Sequence, residues 1–258
     1  MIMMLSGTSD ARQLALAIRD AGHDVFATVV TEHAAEQMAH VGLRAHVGRL
    51  TAYEMVQLIQ QHGVIAVVDA SHPFAEEASR QAMKATEEAN VPYIRYERKE
   101  SVITYDRVTF VDSYEAAAQY AANKKGVVML TTGSKTLPIF AHTLLPLPDV
   151  RLIARMLPRK DNMELCERLR FPQENIIAMQ GPFTKQLDIA LMQHFGVTLL
   201  VTKESGRVGF VDEKIAAAKQ LGIETVVIRR PKLSYPVVYH EFSDVICALE
   251  EIKKKGEK

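Results

Sequence analysis

Ile2-Met3-Met4-Leu5-Ser6-Gly7-Thr8-Ser9-Asp10-Ala11-Arg12 is the stretch whose reading decides the fold. Four apolar residues in a row read as a strand buried on both faces, followed at once by a polar turn that carries a glycine. Beyond the turn, Leu14, Ala17, Ile18 and Ala21 recur at helical spacing, so a helix is expected over about Asp10–Ala21 with Gly22 closing it. Strand, glycine turn and helix make the first half of a βαβ unit. At such a turn the glycine lets backbone pass close to an anion, and the helix N-terminus supplies N–H groups and the positive end of its dipole. Thr8 and Ser9 add hydroxyls. The full Gly-x-Gly-x-x-Gly spacing is absent, and an ordinary capped helix with Thr8 or Ser9 as N-cap accounts for the same residues.

Outward from this stretch the pattern repeats. Strands are expected at 25–30, 44–47, 64–68 and 92–95, then at 127–130, 150–153, 175–178, 198–201 and 224–228. Helices are expected between them near 33–38, 51–61, 75–90, 135–141, 163–170, 185–194 and 211–221, with a last one at 243–254. Thr51 and Glu54 have the spacing of a capping box. Alternation of this kind implies parallel strands with crossover helices, and one sheet rarely holds so many strands. The expected fold is therefore α/β, with two Rossmann-like parallel-sheet domains and the active site in the cleft between them. The polar stretch Arg98–Asp112 places the boundary, giving a cofactor-binding domain over 1–110 and a C-terminal α/β domain over 111–258.

Thirty-one basic and thirty-one acidic residues balance in a chain of 258, so no global field draws it to nucleic acid or to a membrane. A polyanionic partner would have to be held by local clusters. Cys166 and Cys247 are too few for a disulfide framework and have no metal-ligand spacing; buried thiols are expected. No apolar run reaches the roughly 20 residues of a membrane span, and Met1–Leu5 is too short for a signal-peptide core. A soluble, cytoplasmic protein without a bound metal is expected.

Six further motifs fall at strand C-termini, the edge on which open α/β sheets bind ligands. They are Asp69-Ala70-Ser71-His72-Pro73-Phe74-Ala75, Arg95-Tyr96-Glu97-Arg98, Leu130-Thr131-Thr132-Gly133-Ser134-Lys135, Arg155-Met156-Leu157-Pro158-Arg159, Met179-Gln180-Gly181-Pro182-Phe183-Thr184 and Thr202-Lys203-Glu204-Ser205-Gly206. Taken singly, His72 is an ordinary hydrogen-bonded loop residue and the arginines are solvated ion pairs. Their recurrence on one edge describes a ligand cleft better than it describes unrelated loops.

In this order, from Leu5 to Gly206, the motifs resemble those of the precorrin-6A reductase family, which includes enzymes acting on the cobalt-containing substrate. Asp69–Ala75 and Thr202–Gly206 are the most specific pieces, and Arg230-Pro231 is also similar. The chain departs from many relatives in having no Trp after Arg95–Arg98, where it continues Lys99-Glu100-Ser101. The resemblance implies reduction by NADPH or NADH of one C=C bond in a methylated, ring-contracted tetrapyrrole, with hydride delivered to C19 and a proton to C18. It needs no protein-bound metal. It implies a cofactor held by Gly7, Thr8, Ser9 and Arg12, with Thr132, Gly133, Lys203, Ser205 and Gly206. It implies a polycarboxylate substrate held by His72, Phe74, Arg95, Arg98, Lys135, Arg155 and Arg159, with His72 and Ser71 as the catalytic pair. No acidic residue ends the second strand; Glu32 lies just beyond it, and Arg12 offers a 2′-phosphate contact, so NADH and NADPH both stay open. Two other readings share these residues: a corrin-pathway methyltransferase using S-adenosylmethionine, and a non-catalytic NAD(P)-sensing module. Turnover separates the sensor from the reductase.

Overall fold

In the computed structural model, which describes residues 1–97, 105–204 and 213–256, the opening stretch is a fully buried strand β1 (Ile2–Leu5) running into helix α1 (Ser9–Asp20). Thr8 is the N-cap, its hydroxyl oxygen accepting the Ala11 N–H at 3.1 Å. The alternation continues through β2 (Val25–Val29), α2 (Glu32–Ala39), β3 (Arg44–Val47), α3 (Ala52–Gln61), β4 (Ala66–Asp69), α4 (Glu76–Glu88) and β5 (Tyr93–Tyr96). The Thr51–Glu54 capping box forms as its spacing predicts.

A second run comprises β6 (Val108–Val111), α5 (Tyr114–Lys124), β7 (Gly126–Leu130), a 3-10 turn at Ser134–Thr136 leading into α6 (Leu137–Leu144), β8 (Val150–Met156), α7 (Lys160–Arg168), β9 (Ile176–Ala178), α8 (Lys185–Phe195), β10 (Leu199–Lys203), α9 (Glu213–Leu221) and β11 (Glu224–Ile228). The chain then returns to the first sheet. There β12 (Val238–Tyr239) pairs in parallel with β5, and α10 (Phe242–Gly256) sinks Val245 and Leu249 into the core that holds Leu14 and Ile18.

Two compact units result: Met1–Lys99 with Pro231–Lys258, and Glu100–Arg230. Each contains one six-stranded sheet, ordered β3-β2-β1-β4-β5-β12 in the first and β9-β8-β7-β10-β11-β6 in the second. Every neighbouring pair is parallel. The two orders are the same pattern. In each, strand order reverses beside the first strand of the βαβ run, between β1 and β4 and between β7 and β10. The sixth place is filled by a strand outside the run of the other five: β12 comes after the second unit in sequence, and β6 comes before β7.

The α/β fold with two parallel sheets is as expected; the division at residue 110 is not. Three elements escape the periodicity. β6 lies inside the polar stretch read as a boundary, and as a half-buried edge strand it shows no continuous apolar run. Helix α5 buries only alanines, Ala117, Ala118 and Ala121, so its apolar stripe is faint. β12 is two residues long. The chain after Arg230 therefore belongs with the first unit, not with a 111–258 domain.

Candidate functional site

The strand reversal of the first unit brings the Gly7 turn beside the end of β4. Leu5 is in register with Asp69, and the Ala70 N–H donates to the Leu5 carbonyl at 3.1 Å. Gly7 has no left-handed φ, and a Cβ built on it meets nothing within 4 Å. Neither backbone nor packing therefore demands glycine, and the open space above it suits a group that comes close to the main chain. The hydroxyl of Ser6 is buried with no hydrogen-bond partner among the described residues. Arg12 donates to Gln37 Oε1 on α2 at 2.9 Å. A buried hydroxyl without a partner, an open glycine and a helix N-terminus together fit a phosphate group.

Beneath this turn lies a buried polar hub. Asp69 Oδ2 accepts from Ser79 Oγ at 2.6 Å and from Tyr93 OH at 2.7 Å, while Oδ1 accepts the Ser71 N–H at 2.9 Å and pairs with Arg95 at 2.9 Å. Arg95 also donates to Ser71 Oγ at 3.2 Å and to Glu97 Oε1 at 3.1 Å. Its guanidinium lies 5.1 Å from the centroid of the Tyr235 ring, which stacks on Tyr93. Burial works against the charge on Arg95, but Asp69, Tyr235 and Glu97 outweigh it and hold the group charged. Burial, then the Asp69 charge, pushes the Tyr93 hydroxyl well above its ordinary range, so it remains a donor.

Arg95, expected to fork onto substrate carboxylates, is fully buried and binds Asp69, Ser71 and Glu97. It holds the Ser71–His72 turn in place. His72 itself is exposed; its Nδ1 accepts the Phe74 N–H at 3.2 Å, which leaves the proton of the neutral ring on Nε2. The His72 and Phe74 rings lie 5.7 Å apart.

In the second unit, Thr131 Oγ1 donates to the Val201 carbonyl at 3.1 Å and ties the turn after β7 to β10. Thr132 is buried and accepts from Thr136 Oγ1, and Gly133 sits at φ +83°, where a side chain would be strained. Lys135 is exposed on the 3-10 turn. Lys203, half-buried at the end of β10, has its Nζ 5.3 Å from the centroid of the Tyr114 ring. Burial, then the charges of Lys135 and Lys214, pushes its pKa down to about 8.

Arg155 is likewise placed differently from the expectation. It is buried, ion-paired with Asp188, and stacked with Cζ 3.8 Å from the centroid of the Phe183 ring. Arg159 is in solvent, bound bidentately to Asp161 at 2.9 Å through both contacts. Beside them Leu157 and Met179 leave 43% and 36% of their surface exposed at the ends of β8 and β9. Arg98, Ser205 and Gly206 lie outside the described residues. Among the described residues no three His, Cys, Asp or Glu side chains gather as a metal site, and no helix is long and apolar enough to cross a membrane.

Asp69, Tyr93, Tyr235, Asp188 and Lys214 received no role from the sequence. An acid ending a wholly apolar strand is itself a sign of a buried partner, so Asp69 was legible. Tyr235 was not, because it reaches the hub only through the returning C-terminal segment.

A family model described as "Precorrin-6x reductase CbiJ/CobK" matches residues 1–252. The chain is 58% identical over 249 residues to a cobalt-precorrin-6A reductase of Priestia megaterium, covering 96% of this chain and 98% of the relative. It is 30% identical to a cobalt-precorrin-6A reductase of Methanocaldococcus jannaschii, over 98% of this chain and 99% of that one. A solved structure of CobK precorrin-6A reductase superposes with a TM-score of 0.79 at 24% identity, covering 97% of this chain and 96% of the other, and so shares the fold.

Proposed function

Because the chain belongs to the precorrin-6x reductase CbiJ/CobK family, we propose that it catalyses the two-electron reduction of one C=C bond of cobalt-precorrin-6A in corrin ring synthesis. The observation that carries this reading is the 58% identity to a cobalt-precorrin-6A reductase across nearly the whole of both chains. NADPH or NADH, held at the turn of Ser6 to Ser9, would supply the hydride for C19 of the macrocycle.

The residues of this chain bind, orient and protonate. The turn of Ser6, Gly7, Thr8 and Ser9 holds a cofactor phosphate, with the open face of Gly7 admitting it and the buried Ser6 hydroxyl gaining the partner it lacks among the described residues. Hydride addition leaves an enamine that takes a proton at C18. His72 holds a proton on Nε2 at the neighbouring strand end, and the Asp69–Arg95 pair fixes Ser71 beside it from both the N–H and the hydroxyl. On the second unit, Arg159 and the exposed Leu157 and Met179 offer a charge and an apolar shelf suited to a macrocycle that bears carboxylates. Arg155 and Asp188 support that edge from within.

Anaerobic incubation with metal-free or cobalt precorrin-6A, each with NADH or NADPH, tests the reading. Stoichiometric cofactor oxidation with a two-electron-reduced tetrapyrrole is expected with the cobalt substrate. Absence of turnover in all four combinations overturns it, and turnover of the metal-free substrate alone overturns the choice of substrate.

A further inference from the structure

Three strand ends of the first unit share one row. Asp69 on β4, Arg95 on β5 and Val238 on β12 are in register across the sheet. Two residues further along each chain come Ser71, Glu97 and His240, at the edge where open α/β sheets bind ligands. Contacts bind this row together. Arg95 donates to Ser71 Oγ at 3.2 Å and to Glu97 Oε1 at 3.1 Å, the Glu97 N–H donates to the Tyr239 carbonyl at 2.9 Å, and His240 Nδ1 lies 2.5 Å from the Glu97 carbonyl oxygen. Two strand spacings put His240 roughly 10 Å from Ser71, a span that a tetrapyrrole ring covers.

The two histidines of this edge have opposite polarity. A carbonyl oxygen only accepts, so His240 donates to it through Nδ1–H, and Nε2 is the nitrogen left to titrate. A proton gained on Nε2 keeps that bond and strengthens it, because the donor becomes charged. His240 is exposed, and among the described residues no hydrogen bond occupies its Nε2. His72 instead uses Nδ1 to accept the Phe74 N–H, so a second proton on that ring has to break the contact. A neutral imidazole that gives away its Nε2 proton needs another on Nδ1. His72 therefore directs a hydrogen bond, whereas His240 carries a net proton without losing a contact. The charged groups on the elements around His240 are Asp69 on β4, Arg95 and Glu97 at the end of β5, and Glu241 and Asp244 where α10 begins.

We propose that His240 is a catalytic acid of the reduction, a role that rests on the reductase reading above. With both electrons delivered to C19 as hydride from the nicotinamide, the enamine pair forms the C18–H bond with the proton on His240 Nε2. The Nε2–H bond breaks, its electron pair stays on the ring, and the neutral imidazole keeps Nδ1–H on the Glu97 carbonyl. Solvent returns the proton to the exposed ring.

His240→Asn keeps a donor at the place of Nδ1 and has nothing to titrate; His240→Ala removes both. Assays of the full chain with cobalt-precorrin-6A and NADH or NADPH read kcat, KM and their pH dependence. A loss in kcat of about a hundredfold is expected in both variants, with the cofactor KM and the melting temperature unchanged. In the parent, kcat falls as rising pH removes the proton from the acid, and that limb disappears in His240→Asn. Parent-like kcat in His240→Asn overturns the proposal. A loss confined to His240→Ala does the same, since the clamp on Glu97 then accounts for it. A second readout needs no turnover: uroporphyrin III, an aromatic ring bearing acetates and propionates, is titrated into protein with ¹⁵N-labelled histidine. Its ring current should shift the His240 resonances, assigned with His240→Asn, and their ¹H–¹⁵N couplings should show the Nδ1–H tautomer. Unmoved His240 resonances, or the Nε2–H tautomer, overturn the proposal. A failed reductase reading shows separately, as a parent protein that responds to the porphyrin at His240 but reduces neither precorrin.

Discussion

Arg95 and Asp69 form an ion pair at 2.9 Å in which neither side chain exposes more than 1% of its surface. Desolvating two charges is costly, and removing one partner leaves the other buried without compensation. Asp69→Asn is expected to destabilise the first unit by about 3–5 kcal/mol, and Tyr93→Phe, which removes only one hydrogen bond to the carboxylate, by about 1.5–3 kcal/mol. Urea denaturation followed on the first unit measures both. A smaller loss for Asp69→Asn than for Tyr93→Phe would show that the pair does not hold this region.

Gly7 tests the cofactor turn without disturbing the core. Since a Cβ there meets nothing within 4 Å and φ is not left-handed, Gly7→Val should fold normally and melt within a few degrees of the parent. If the phosphate approaches this backbone, NADPH affinity should fall by at least about tenfold, near 1.4 kcal/mol, with Gly7→Ala between the two. Fluorescence titration of the cofactor decides it; unchanged affinity in Gly7→Val places the phosphate elsewhere.

The returning C-terminal segment should be indispensable to the first unit and dispensable to the second. A chain ending at Arg230 lacks β12 and withdraws Val245 and Leu249, both fully buried, from the core. Each such side chain contributes roughly 1.5–3 kcal/mol by its burial. Hydrogen exchange should show protection lost in β1, β4 and β5 while β7, β8 and β10 keep theirs. Equal loss in both units would contradict the division of the core described above.

If Lys203 meets an anionic group of the cofactor, that binding depends on pH. With its pKa pushed down to about 8, the site loses positive charge as pH rises through that value, so ligand affinity should fall above pH 8. A bound anion stabilises the protonated form and moves the drop to higher pH. Lys203→Arg should flatten the profile, because guanidinium does not titrate in this range. The effect on folding has the opposite sign. Between about pH 8 and the ordinary lysine range the unfolded state binds more protons, so Lys203 makes stability rise with pH there. An affinity profile that is flat from pH 7 to 9 in the parent enzyme would contradict this account.

What the sequence showed, and what it hid, divides along the range of the interactions. β1, its turn and α1 were legible because a buried strand and an amphipathic helix write their periods into adjacent residues. The strand-end motifs were legible for the same reason: the βα alternation alone assigns each turn to the ligand edge. The arginines were not. A guanidinium in solvent and one in a buried pair leave the same letter in the sequence, and the partner of Arg155, Asp188, lies 33 residues away. Arg95 and Arg155 turn out to brace the two edges from inside, while Lys203 keeps a half-exposed charge at one of them.

By itself, then, the sequence determined two parallel α/β sheets, the strand ends on which the candidate motifs lie, and a resemblance to a reductase family. The tertiary structure alone decided which strands complete each sheet and which charges are available at its edge. Edge strands such as β6 and β12 are stabilised by neighbours supplied by distant chain, Thr225–Ile228 for the one and Arg95–Tyr96 for the other, so no local pattern announces them. The opening turn is written in consecutive residues; the hub of Asp69, Arg95 and Tyr235 beneath it exists only once the chain has left the first unit, built the second and come back.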